Sequence, residues 1–515
     1  MNDKGRIENV IKNSSWSLFV QITNILTGFI VRMFFIHYLG KVYLGVGGLF
    51  TNVLTVLSMA EMGIGSAIAY NMYKPIAEKD YIKIAQLMNF FKKAYITIGI
   101  FIGAIGLILT PFLSKIINGA DEINNLTVIY WLYLFNTVFS YLLSYKKALF
   151  NADQRDRVLQ VFRFAAHMVM SILQIIIIVV FRNFILYLSI QIMSTVLENI
   201  VVSFYADKCY PFLKKYKNET LSKEEKKTIF ENIKSLFIYK LGGTALDGTD
   251  NIIISATDNV VSVGMLSNYT LITSSVQALI THVTKSMTGS VGNFIAKEKE
   301  ERYEPLLNKV TFLNFILYGI TFVGGVAVVN PTISLFFGKD YVLDYSVLFI
   351  HCLNIYILGM MNAVWIFRST MGLFVHGKWR PLISAVINLV ISIWLGNVMG
   401  LIGVLIGTTI TRVVTNVWYD PLIVYKHGIK KKPYSYYIKW LIYLGVCLVD
   451  IFVINLFSNI INLTGIIAIL VYGVLAVLIF IGSVYVLFSK TSECKYLIKI
   501  ACEWSGKLIK RRIVR

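Results

Sequence analysis

Residues 465–487 read GIIAILVYGVLAVLIFIGSVYVL, 23 consecutive positions without a charged side chain. At about 1.5 Å per residue such a helix matches the roughly 30 Å hydrocarbon core of a bilayer. It has no polar face, so it needs lipid or protein on every side. Ile96–Leu113 repeats the pattern, and blocks like it, separated by short charged stretches, run through all 515 residues. Together with 56% hydrophobic and 14% aromatic content, this marks an all-α polytopic membrane protein. No Pro-rich, Gly/Ser-rich or low-complexity stretch marks a linker, and the eight prolines and short polar connections leave no room for a soluble domain.

At about 20 apolar residues per crossing, fourteen spans fall near 15–37, 44–73, 94–116, 127–150, 158–181, 184–206, 234–257, 263–290, 309–336, 345–370, 381–399, 401–424, 438–457 and 464–488. The formal charge of +21 would suit nucleic acid if it formed one patch, but the basic residues lie between spans, which excludes that partner. Of 49 Lys and Arg, only Arg32, Lys41, Lys115, Arg182 and Lys339 fall on one side of the membrane. The other side, which carries both termini, is therefore cytoplasmic. An odd span count would destroy this segregation. Lys4, Arg6 and Lys12 precede a first span without a small-x-small cleavage site, as in a retained helix. The longest inner loop, 207–233, carries Lys214, Lys215, Lys217, Lys223, Lys226 and Lys227, and the tail ends with Lys510, Arg511 and Arg512; orientation explains these charges, and they would also attract anionic membrane lipid.

A weak internal repeat appears at an offset near 218. Ser17-Leu18-Phe19 recurs as Ser235-Leu236-Phe237, Asn52 as Asn268, Pro111 as Pro331, and Lys147 as Arg368. Six spans per copy give the two copies the same orientation, so the expectation is two parallel-repeat six-helix bundles plus two extra helices, with substrate bound where the copies meet. The implied division is a first bundle at 1–206, a basic loop at 207–233, a second bundle at 234–424, helices 13 and 14 at 425–488 and a basic tail at 489–515.

Ionisable groups inside a membrane are costly and usually face protein or water. In span 1, Ser17, Gln21, Asn24, Gly28 and Arg32 form one stripe at helical spacing; in span 7, Lys240, Thr244, Asp247 and Asn251 do the same, with Asp250 beside them. Glu61, His167, Glu198, His282, Lys285 and Arg412 are further intramembrane candidates, and Lys147 and Arg368 stand at the cytoplasmic ends of spans 4 and 10. Snorkelling to the inner headgroups would equally suit Lys147, Lys285 and Arg368. An interhelical hydrogen bond would suit His167 and Glu198, and an ion pair would suit Arg32 and Asp250. The five cysteines show neither metal-ligand nor disulfide spacing. No nucleophile elbow, P-loop or zinc-protease motif occurs, and no outer loop is long enough to carry a catalytic base.

Four stretches resemble a known family: Ala60-Glu61-Met62-Gly63-Ile64-Gly65 to Tyr73-Lys74-Pro75; Lys147 to Ala152-Asp153-Gln154; Leu241-Gly242-Gly243 with Thr249-Asp250-Asn251 and Ser267-Asn268-Tyr269; and Gly372-Leu373-Phe374 to Gly377-Lys378-Trp379-Arg380-Pro381, then Gly403 and Gly407-Thr408. In this order they are similar to the polysaccharide repeat-unit flippases (Wzx-type, for O-antigen or capsule) of the MOP superfamily. The chain departs from that pattern at Asp247, where a neutral polar residue is expected. The resemblance implies a MATE-like fold, alternating access and no enzymatic activity. A lipid II flippase or a multidrug/cation antiporter shares the outline, and a polysaccharide polymerase or ligase is the rival from another class. For a polyprenyl-diphosphate-linked oligosaccharide, Arg32, Lys240, His282, Lys285, Arg368, Arg412 and Lys147 are the substrate-binding candidates. Glu61, Asp247 and Asp250 are the coupling or gating candidates. No metal or cofactor is expected beyond H⁺ or Na⁺ as coupling ion, and the expected partners are membrane lipids and the glycosyltransferases and polymerase of the same pathway.

Overall fold

A computed structural model describes residues 3–58, 71–72, 74–76, 78–113, 117, 123–142, 145–153, 156–227, 229–231, 248–373, 376–377, 379–499 and 502. It is helical throughout, without a strand among the described residues. Ten helices in that set are long and apolar enough to cross a membrane. The first of them, within α1 (Asp3–Leu57), is two arms: Gly40, at φ 79°, interrupts the helical backbone with a conformation open to glycine. With α1 counted as two arms, the expected spans also contain the shorter apolar helix α3 (Leu126–Leu142), continued by α4 (Tyr145–Ala152), and the helices α7 (Asp250–Thr257) and α8 (Val260–Lys297). The count near fourteen follows, and the chain is a multi-pass membrane protein.

The chain divides into two compact units, 1–267 with 381–385, and 268–380 with 386–515. In the first, α1 packs on α5 (Asp156–Phe181), α2 (Tyr81–Leu109) on α3, and α3 and α5 on α6 (Phe184–Cys209). Small residues let these helices approach: Tyr130 of α3 donates its hydroxyl to the Gly106 carbonyl of α2 at 2.8 Å. The loop after α6 is tied to α2, because Asn89 Nδ2 donates to the carbonyls of Tyr216 (3.1 Å) and Glu219 (2.9 Å) and Lys83 pairs with Glu225. That hydrogen bond from Lys83 holds the Glu225 carboxyl below its ordinary range. The tie therefore holds above the ordinary carboxyl pKa and is lost as pH falls through the lowered one.

The second unit is built around α9 (Tyr303–Phe336), which packs against α10 (Tyr345–Met360), α15 (Tyr434–Ile461) and α16 (Gly465–Phe488). Phe315 of α9 stacks on Tyr443 of α15 at 4.3 Å and meets Phe480 of α16 edge-on at 5.3 Å. The last two helices are thus anchored on one helix by buried aromatic area and ring geometry. Between α10 and α12 (Arg380–Met399) lies α11 (Asn362–Thr370). After α12, Gly400 at φ 63° reverses the chain into α13 (Leu401–Arg412), whose Gly403 and Gly407 lie against Leu395 and Ser392 of α12. α13 runs on through a π-helical turn, Val413–Val417, into α14 (Tyr419–Ile423).

Candidate functional site

Arg412 ends α13 and is 7% exposed. Its Nη1 donates to the backbone carbonyl of Asn354 on α10 at 2.9 Å, with the Asn354 amide oxygen 3.4 Å away. Asn354 Nδ2 in turn donates to the Leu405 carbonyl at 3.0 Å. One turn earlier on α10, His351 Nε2 lies 3.1 Å from Thr273 Oγ1 on α8; further along, the Tyr269 hydroxyl donates to Asn330 Oδ1 at 2.6 Å. The interior of this unit therefore holds a polar track with one guanidinium on it. A π-helical turn directly follows Arg412, a local widening that recurs at functional positions of helices.

Arg368 of α11 is 3% exposed and lies 2.7 Å from Asp420 of α14, which is fully buried. Asp420 also faces Arg380 Nε at 3.2 Å and accepts from Trp365 Nε1 at 2.9 Å. Gly372 and Gly377, both at positive φ, turn the intervening chain back so that Arg368 also donates to the carbonyls of Leu373 (3.4 Å) and His376 (2.6 Å). One carboxylate thus holds two arginines.

The first unit repeats this arrangement. Lys147 of α4 pairs with Glu198 of α6 at 2.5 Å, and Arg163 of α5 stands 3.9 Å from the same carboxylate. In both units the cations come from the fourth and fifth spans and the carboxylate from the sixth. The three residues of one set lie 221, 217 and 222 positions from those of the other. Next to it, Lys146 binds Asp207 at 2.6 Å and Ser203 Oγ at 2.7 Å. The two sets differ in side-chain exposure: 4%, 14% and 0% for the side chains of Arg368, Arg380 and Asp420, against 18%, 51% and 18% for those of Lys147, Arg163 and Glu198.

Of the other candidates, Arg32 Nη1 donates to Ser267 Oγ at 3.3 Å, joining α1 to α8 within the first unit. Asp250 opens α7 and is half-buried. His282 and Lys285 lie one turn apart on α8. Glu61, Lys240 and Asp247 lie outside the described residues. Neither Asp420 nor Arg163 stands out in a residue-by-residue reading. The available signal is the spacing of cation to carboxylate, 51 residues in one copy and 52 in the other.

Long apolar helices in two units, with buried charges satisfied by carbonyls and carboxylates, define a polytopic membrane protein. Solved structures share the fold. The lipid II flippase MurJ in an inward closed conformation is 13% identical, with a TM-score of 0.63 over 92% of this chain and 98% of that one. A multidrug resistance MATE transporter of the MOP superfamily is 15% identical, with a TM-score of 0.58 over 79% and 98%. A mutant of the Vibrio cholerae MATE transporter VcmN is 13% identical, with a TM-score of 0.51 over 83% and 99%. No curated protein sequence matches the chain. The family model for polysaccharide biosynthesis proteins matches residues 10–288, and the chain belongs to that family.

Proposed function

We propose that the protein is a flippase, not an enzyme, which carries a polyprenyl-diphosphate-linked oligosaccharide across the bacterial cytoplasmic membrane by alternating access. The observation that carries this reading is membership of a polysaccharide biosynthesis family in a chain with the fold of MOP transporters. The headgroup of such a lipid is a pyrophosphate with attached sugars, and cations within the membrane would lower the cost of its transfer. Arg412, Arg32, Lys240 and Lys285 are proposed to meet the pyrophosphate, because charge-assisted hydrogen bonds are strong where water is scarce. Glu61, Asp247 and Asp250 are proposed to bind the coupling ion, H⁺ or Na⁺, or to neutralise neighbouring cations.

The test is surface polysaccharide in cells lacking the native gene, with membrane protein level measured alongside. Arg412→Ala should lose most export, on the order of tenfold or more for one strong charge-assisted contact. Arg412→Lys should retain part of it, since the charge remains but the planar fork is lost. Lys214→Ala, at a side chain 70% exposed, should change little. Normal export by Arg412→Ala and Arg32→Ala at normal protein level would reject the cationic mechanism.

Orientation is tested separately. The charge segregation places both termini in the cytoplasm. Cysteines placed at Lys4 and Arg515 should resist an impermeant thiol reagent in intact cells and react after permeabilisation. Ready labelling from outside would reject the assignment.

A further inference from the structure

Between α5 and α6 of the first unit runs an apolar groove of about 310 Å³, with Phe162 and Val201 towards one end and Leu173 and Ile190 towards the other. Phe162 and Leu173 are eleven helical steps apart, which gives it a length of about 16 Å. Val169, Met193 and Leu197 on its walls are 58%, 57% and 57% exposed, so it opens sideways. Its volume lies at the small end of the roughly 300–1,000 Å³ range of ligand pockets, enough for part of one hydrocarbon chain. Glu198 lines the groove and belongs to the exposed ion set with Lys147 and Arg163.

That set carries two cations and one carboxylate, a net +1. Its counterpart in the second unit has the same charges but is closed: Asp420 is fully buried and Trp365 occupies one of its oxygens. In the first unit Arg163 is half in the open, and its nearest approach to Glu198, 3.9 Å, lies beyond hydrogen-bond reach. Its guanidinium fork is presented beside an apolar channel, on the side where the charge count places the anionic inner leaflet.

We propose that this groove and ion set form a binding site for an anionic phospholipid of the inner leaflet, one acyl chain in the groove and the phosphate on Arg163 and Lys147. The excess positive charge selects a lipid with net negative charge over a zwitterionic one. A phosphate oxygen pair fits the arginine fork, and the lysine ammonium adds a point charge. Lys147 is also a candidate for the transported headgroup, and an isoprenyl phosphate arm in the experiment separates a resident phospholipid from that substrate.

The experiment is native mass spectrometry of the purified full-length protein in detergent, titrated with dioleoyl phosphatidylglycerol, dioleoyl phosphatidylcholine or an isoprenyl phosphate. The wild type is expected to retain the phosphatidylglycerol at least about fivefold better, the effect of one interfacial cation. Arg163→Glu should remove that preference, Arg163→Lys should keep most of it, and Arg302→Glu, at an exposed arginine elsewhere, should leave it intact. Ala166→Trp, which fills the groove, should lower retention; Ser194→Leu serves the same purpose if the tryptophan variant does not purify as a single species. Equal retention of the two lipids, an undiminished preference in Arg163→Glu, or retention of an isoprenyl phosphate in place of phosphatidylglycerol would each overturn the proposal.

Discussion

Gly45→Val is expected to abolish the folded protein. A Cβ at Gly45 would stand 1.9 Å from the carbonyl oxygen of Val260 and 2.8 Å from its carbon; one at Gly264 would lie 2.7 Å from both the Lys41 carbonyl oxygen and the Gly45 nitrogen. The obstacles are backbone atoms, which have no rotamer to retreat into. α1 and α8 cross here main chain to main chain, the approach that small residues permit in membranes. Moving α8 outward to admit a side chain would pull Ser267 from Arg32 and open the packing on either side. The cost should exceed about 3 kcal/mol, at or beyond the usual range for overpacking. The check is fluorescence-detected size exclusion after heating a series of detergent extracts. Gly28→Ala and Gly445→Ala are the controls, because a Cβ at either position would meet nothing within 4 Å. A monodisperse Gly45→Val protein that survives heating like the wild type would show that the crossing can relax.

The apolar runs made the membrane class, the helices and nearly all their order readable, because lipid imposes a length and a hydrophobicity on every crossing. The break at Gly40 falls in the gap between the first two expected spans. What hydrophobicity could not show is where a helix changes register. The π-helical turn at Val413–Val417 lies inside the expected span 401–424, and nothing in an apolar string distinguishes a turn with one extra residue. Partners were also hidden. Lys147, Glu198, Arg368 and Arg412 could be picked out as charges in apolar surroundings, but the pairs Lys147–Glu198, Arg368–Asp420 and Arg412–Asn354 join residues 51–58 positions apart in sequence. Asp420, inside the expected span 401–424, is not among the intramembrane candidates, yet it is a buried carboxylate that pairs with two arginines and accepts from an indole. Arg163, inside the expected span 158–181, is likewise not among those candidates. Comparison of charge positions between the two halves, not hydrophobicity, brings both into view.

Asp420→Ala is expected to destabilise the second unit far more than Glu198→Ala destabilises the first, although the two carboxylates hold equivalent sets. With Asp420 gone, Arg368 and Arg380 keep their charges in a buried site, Trp365 Nε1 loses its acceptor, and solvent cannot replace what was removed. Breaking a buried pair in this way costs about 3–5 kcal/mol. At Glu198, with Arg163 half exposed and water within reach, the loss should be about 1 kcal/mol. Midpoints of thermal inactivation in detergent, read as loss of the monodisperse peak, should therefore fall steeply for Asp420→Ala and slightly for Glu198→Ala. The double variant Arg368→Met/Asp420→Leu discriminates further. If the cost of Asp420→Ala is mainly a stranded charge, removing the charge with its partner should recover part of the loss, and the two substitutions should be strongly non-additive. Recovery should stay incomplete, because the carbonyls of Leu373 and His376 lose the Arg368 donor and Arg380 remains. Equal losses for Asp420→Ala and Glu198→Ala, or strict additivity in the double variant, would mean that burial does not set the strength of these ion sets.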